Sequence, residues 1–107
     1  MSFFSFGTKA ESDLSAEEFK TKMDADPKAA LLDVRTAGEF AEGAINNAKN
    51  IDFFSSNFRS QIEALPKDKN YYVYCRSGNR SGQAVKFLKS KGYEAFNLDG
   101  GIMSWSY

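Results

Sequence analysis

The sequence predicts a single α/β domain whose mainly parallel sheet is covered by helices on both faces. The 107 residues suit one ordinary domain with one core. Short, mostly apolar runs recur at Ala30 to Val34, Tyr71 to Cys75 and Tyr93 to Leu98. Segments with helical spacing or capping signals lie between them. The composition is 42% hydrophobic and 15% aromatic, which fills a core and excludes a disordered chain.

Each element has its own reason. Residues 1–10, with Phe3, Phe4 and Phe6, read as an N-terminal tail: either disordered or able to dock on a partner or on the sheet. Residues 11–107 read as the domain. Ser15 and Glu18 can form a capping box, with Leu14 and Phe19 as the hydrophobic staple across it, and this helix should fade by Asp26-Pro27. Ala30 to Val34 is then a strand buried on both faces. Thr36 and Glu39 offer a second capping box for a short helix ending near Gly43. Ala48 to Ile51 reads as a brief strand. Phe58, Ile62 and Leu65 mark one face of a helix that stops before Pro66. After the Lys67-Asp68-Lys69-Asn70 turn comes the Tyr71 to Cys75 strand. Ala84, Phe87 and Leu88 give the next helix its face, and Lys89, Lys91 and Gly92 its ending. Tyr93 to Leu98 returns as a strand, and Asp99-Gly100-Gly101 turns into a short final segment carrying Trp105.

Several function classes are excluded. Fourteen basic residues balance fourteen acidic ones, so the basic excess of a nucleic-acid or anionic-membrane binder is missing. The one cysteine forbids an intramolecular disulfide or a Cys-rich metal site, so no metal is expected. With no histidine, Ser-His-Asp triads, Cys-His proteases, HExxH zinc sites and His-ligated haem fall away. The N-terminal aromatic stretch is too short for a signal peptide, and no apolar run approaches the ~20 residues of a membrane span. The expectation is a soluble, monomeric, cytoplasmic protein, unless a leader has been removed.

The chemistry concentrates in Cys75-Arg76-Ser77-Gly78-Asn79-Arg80-Ser81-Gly82, set between a strand and a helix. In parallel sheets ligands sit beyond the carboxyl ends of strands, and Cys75 is at such an end. Gly78 and Gly82 permit a tight loop whose amides converge above the thiol, at the positive end of the helix beginning near Arg80. Arg76 and Arg80 add positive charge, and Ser77 and Ser81 add hydroxyl donors. Each feature favours thiolate over thiol, so the nucleophile is activated without imidazole. The competing reading of a lone cysteine after an aromatic strand is a small buried hydrophobe.

Leu31-Leu32-Asp33-Val34-Arg35 followed by Glu39-Phe40, the Cys75-to-Ser81 loop, and Leu98-Asp99-Gly100-Gly101-Ile102 with Trp105 stand in a telling order. Over roughly residues 12–105 the chain resembles the rhodanese family, in particular its small single-domain sulfurtransferases. The resemblance implies a parallel five-stranded sheet and a persulfide intermediate on Cys75, with no other cofactor. The thiolate would attack the outer sulfur of thiosulfate, sulfite would leave, and cyanide or a thiol would then take the sulfur. The amides of residues 76–81 would stabilise the persulfide, and Arg76 and Arg80 would attract or position the anionic donor. A protein sulfur acceptor is a further partner the family admits. Related phosphatases use a seven-residue Cys-x5-Arg loop; here Cys75 to Arg80 counts six residues, which favours sulfur over phosphate. Many members carry a Gly-His-Ile-Pro-Gly-Ala type segment after the Glu-Phe pair. This chain instead reads Glu42-Gly43-Ala44-Ile45-Asn46-Asn47-Ala48.

Asp33, Arg35 and Glu39 are supporting candidates. They either organise the catalytic loop, through a Glu39–Arg80 or Asp33–Arg35 contact, or serve as a cap and ordinary ion pairs. Gly100 and Gly101 read as a tight turn and Trp105 as a packing residue. Three alternatives to a thiosulfate sulfurtransferase stay open: a sulfur carrier serving one protein, a non-catalytic or redox-sensing module, and a phosphatase.

Overall fold

The computed structural model describes residues 11–107; the expected tail, with its Phe3, Phe4 and Phe6, lies outside them. The first element is a strand that the sequence does not announce. It is the two-residue β1 (Asp13–Leu14), which has no periodicity to read and exists because β5 (Glu94–Leu98) offers it an edge. Backbone bonds from Asn97 N to Ser12 O and from Asp99 N to Leu14 O, each 2.8 Å, hold it there.

The two capping boxes form as the sequence predicts. Ser15 opens α1 (Ala16–Asp24) with Glu18 reciprocating, and Thr36 opens α2 (Ala37–Glu42) with Glu39 reciprocating. Strand β2 (Ala29–Asp33) lies between them, and β3 (Lys49–Asn50) is the brief strand expected after α2. Helix α3 (Phe58–Glu63) is shorter than its apolar spacing suggests, because Leu65 follows it in a turn, with its N–H on Ile62 O at 3.0 Å. Then come β4 (Asn70–Tyr74) and α4 (Asn79–Ser90). Gly92, at φ +88°, closes α4 with its own N–H on Lys89 O and that of Tyr93 on Leu88 O. A 3₁₀ turn spans Ile102–Ser104.

The five strands are all parallel, in the order β1-β5-β4-β2-β3. Alternation along the central β4 sends its side chains into two cores. Tyr71 and Val73, continued by Cys75, face one core with Val34, Phe58, Ile62, Ala84 and Leu88 from the side of α3 and α4. Tyr72 and Tyr74 face the other with Phe19 and Leu98, against which Leu14 and Trp105 pack. The Trp105 ring meets Phe19 edge-on at 6.0 Å, so it serves packing. Among the described residues no helix is long and apolar enough to cross a membrane, and no acidic, His or Cys cluster could hold a metal.

Candidate active site

Strand β4 ends at Tyr74, and the next residue, Cys75, is a free thiol only 1% exposed. Three donors converge on its Sγ: Gly78 N at 3.1 Å, Ser81 Oγ at 3.2 Å and Ser81 N at 3.4 Å. Gly78, at φ +103°, makes the turn and precedes the first residue of α4. The thiol therefore sits at the positive end of a 12-residue helix. Burial alone pushes the thiol up. The hydrogen bonds from Ser81, Gly78 and the Ser77 amide outweigh it, and the net displacement is below the ordinary thiol range. A thiolate held this way is a nucleophile, and the same donors suit a terminal persulfide sulfur.

The remaining loop residues take different positions. Arg76, Ser77 and Asn79 are exposed around the thiol, and Asn79 Oδ1 accepts from Gln83 Nε2 at 3.0 Å rather than facing Sγ. Arg80 makes the contact with Glu39 that the sequence offers as one alternative, so its charge is not free. Its guanidinium forks onto Glu39, Nη1 to Oε1 at 2.8 Å and Nη2 to Oε2 at 3.1 Å. Glu39 meanwhile keeps its capping role, accepting from Thr36 N at 3.0 Å. Arg80 and then the Thr36 amide hold the Glu39 carboxyl at about 2. Capping and loop bracing, distinct alternatives in the sequence, are thus met by one carboxylate.

Asp33 and Arg35 do not touch Cys75. They form a buried ion pair, Arg35 Nη2 to Asp33 Oδ2 at 2.7 Å, with side chains 8% and 0% exposed. Arg35 Nη2 also donates to Gly43 O at 2.7 Å, while Asn50 Nδ2 bonds the carbonyls of Asp33 and Arg35. Ile45 N donates to the Tyr74 hydroxyl at 2.9 Å. The segment around Ala44, where the family pattern carries histidine, is therefore pinned from beneath on both sides while Ala44 itself is exposed.

Two supports escape the sequence reading. The first is Gly101, which is more than a turn residue. A Cβ there would stand 2.2 Å from Arg76 O and 2.6 Å from Ser77 N, so only glycine lets the segment pass beneath the catalytic loop. Ile102 N then donates to Cys75 O at 2.9 Å and Met103 N to Arg76 O at 3.3 Å. The second is Asn97, buried in β5, whose Nδ2 donates to Gly78 O at 3.2 Å and to Asp13 Oδ1 at 2.9 Å. A polar residue set between Phe96 and Leu98 was the available signal.

The family model described as "Rhodanese-like domain" matches residues 15–107. The Bacillus subtilis protein YtwF is 39% identical over 93 residues, covering 87% of this chain and 88% of its own. A sulfurtransferase of Allochromatium vinosum is 40% identical over 77 residues, 71% of this chain and 70% of that one. The crystal structure of a rhodanese-like domain protein from Staphylococcus aureus superposes with a TM-score of 0.77 at 32% identity, covering 89% of this chain and 91% of that chain.

Proposed function

The chain belongs to the rhodanese-like domain family, and from that premise we propose that it is a sulfurtransferase working through a Cys75 persulfide. The observation that carries the reading is the cage of three donors around a buried Sγ.

In the first half-reaction the Cys75 thiolate attacks the outer sulfur of a sulfane donor such as thiosulfate. The S–S bond of the donor breaks and sulfite leaves with its electron pair. In the second half an acceptor, cyanide or a thiol, attacks the outer sulfur of the persulfide and returns the electron pair to Sγ. Gly78 and Ser81 hold the sulfur anion in each state. Arg76 is exposed while Arg80 is tied to Glu39, which supports Arg76 as the charge that draws the anionic donor. The persulfide carries the chemistry, and this reading assigns no further cofactor. The short Cys75-to-Arg80 span favours sulfur over phosphate, which would need a wider anion cradle.

Intact-protein mass spectrometry after thiosulfate tests the proposal. Wild type should gain one sulfur mass and lose it to cyanide with release of thiocyanate, while Cys75→Ala gains nothing. A thiosulfate-dependent gain on Cys75→Ala would overturn it.

A further inference from the structure

Beside the catalytic loop runs a strip of aromatic rings that the sulfur chemistry does not use. Phe54 is 68% exposed, and the Arg80 guanidinium lies 5.7 Å from its ring centre. Arg80 adjoins Ser81, whose hydroxyl touches Cys75 Sγ. From Phe54 the rings continue edge to face to the half-buried Phe53 at 5.5 Å, and the core ring of Phe58 lies behind, 5.3 Å from Phe53 and 6.2 Å from the half-buried Phe87. A groove of about 350 Å³ opens along this run, lined by Phe53, Phe58, Phe87, Arg59 and Gln83. The Arg59 guanidinium covers Phe87 at 5.2 Å. Among the described residues no carboxylate pairs with Arg59.

Thiosulfate and cyanide are too small to need such a strip. Aromatic surface beside the uncompensated guanidinium of Arg59 is the composition of a protein-binding patch. Its charge selects an acidic partner. Its place beside the thiol selects a partner that brings sulfur chemistry with it. We propose that the strip from Phe54 to Phe87, with Arg59 in its groove, docks a polypeptide thiol with an apolar side chain and a carboxylate near its cysteine. This rests on the sulfur-transfer reading above and names the class of acceptor. The docked thiol attacks the outer sulfur of the Cys75 persulfide anion, its proton passing to that sulfur as the new S–S bond forms. The bond from that sulfur to Sγ breaks with its electron pair left on Sγ, and the acceptor departs as a persulfide. No external oxidant or reductant is consumed.

The test uses two fluorescein-labelled peptides with one cysteine each, flanked by Phe, Leu and Asp in the first and by Ser and Asn in the second. Binding is read by fluorescence anisotropy on Cys75→Ser protein, where no sulfur can move. The apolar acidic peptide should bind about tenfold tighter, and adding Phe54→Ser or Arg59→Gln should each remove several-fold of that preference. Both sites are exposed, and circular dichroism verifies that each variant is folded. On persulfide-loaded wild-type protein the same peptide should be the faster acceptor. Equal binding of the two peptides, or a preference unmoved by Phe54→Ser, would overturn the docking surface. A peptide preference on protein whose Cys75 takes no sulfur would leave the surface standing and count against the sulfur-transfer reading instead.

Discussion

Gly101 lies directly beneath Arg76, with its backbone so near that any Cβ would overlap the Arg76 carbonyl group at 2.2–2.4 Å. The contact joins the segment after β5 to the loop after β4 and leaves no slack between them. Gly101 also holds φ +64°, a left-handed value that favours glycine. Gly101→Ala should therefore cost about 2 kcal/mol or more in urea unfolding. It should also slow sulfur loading of Cys75 in protein that remains folded. A variant with unchanged stability and loading would show that the loop is held by other contacts.

The Cys75 thiol should ionise below the range of a free thiol, because the Ser81 and Gly78 donors outweigh its burial. Iodoacetamide alkylation against pH should show a midpoint below the ~8.5 of an ordinary cysteine. Ser81→Ala removes the hydroxyl donor at 3.2 Å, so its midpoint should move up and its rate at pH 7 should fall several-fold. An unmoved midpoint would transfer the effect to the backbone donors and the helix end.

Glu39 carries a pH dependence with a defined sign. Its folded carboxyl, lowered to about 2 chiefly by Arg80, binds a proton less readily than in the unfolded chain. The stabilisation is thus full above the ordinary carboxylate value near 4.5 and is lost as pH falls from there toward 2. Glu39→Gln should cost about 1 kcal/mol at pH 7, a figure kept small because the pair is partly solvated. Its deficit relative to wild type should shrink between pH 5 and pH 3, measured by urea midpoints. A deficit constant across that range would mean that the hydrogen-bond geometry, and not the charge, is what matters.

The buried Asp33–Arg35 pair should respond differently. Asp33→Ala strands a guanidinium that is nearly inaccessible to water, and the expected loss is about 3–5 kcal/mol. Asp33→Ala combined with Arg35→Met should recover part of that loss, because no unpaired charge then remains. Chemical denaturation of the two single variants and the double variant measures the coupling.

The parts of this molecule legible in sequence are those specified by neighbours in the chain. Both capping boxes, the apolar runs of β2 and β4, and the loop from Cys75 to Ser81 are local patterns, and each folds as read. The parts that were not legible depend on partners far along the chain. Strand β1 exists through its pairing with β5, and Asn97 meets the carbonyl of Gly78 only because β5 lies next to β4. The Glu39–Arg80 contact was one of the readings the sequence left open, and the 41 positions between the two residues are why the chain alone did not choose it. The mainly parallel sheet follows from strands alternating with helices, while the five-strand count and the strand order rest on the family resemblance, since apolar periodicity identifies strands and is silent on their neighbours.

The bonds from Ile102 and Met103 to the carbonyls of Cys75 and Arg76 also bear on synthesis at the ribosome. A nascent chain that has exposed only the segment through α4 holds its cysteine on a loop with no floor. The thiol reaches its finished environment when Gly101 to Met103 have cleared the exit tunnel and folded back. Until then the carbonyls of Cys75 and Arg76 lack the two donors that fix the loop in the folded domain.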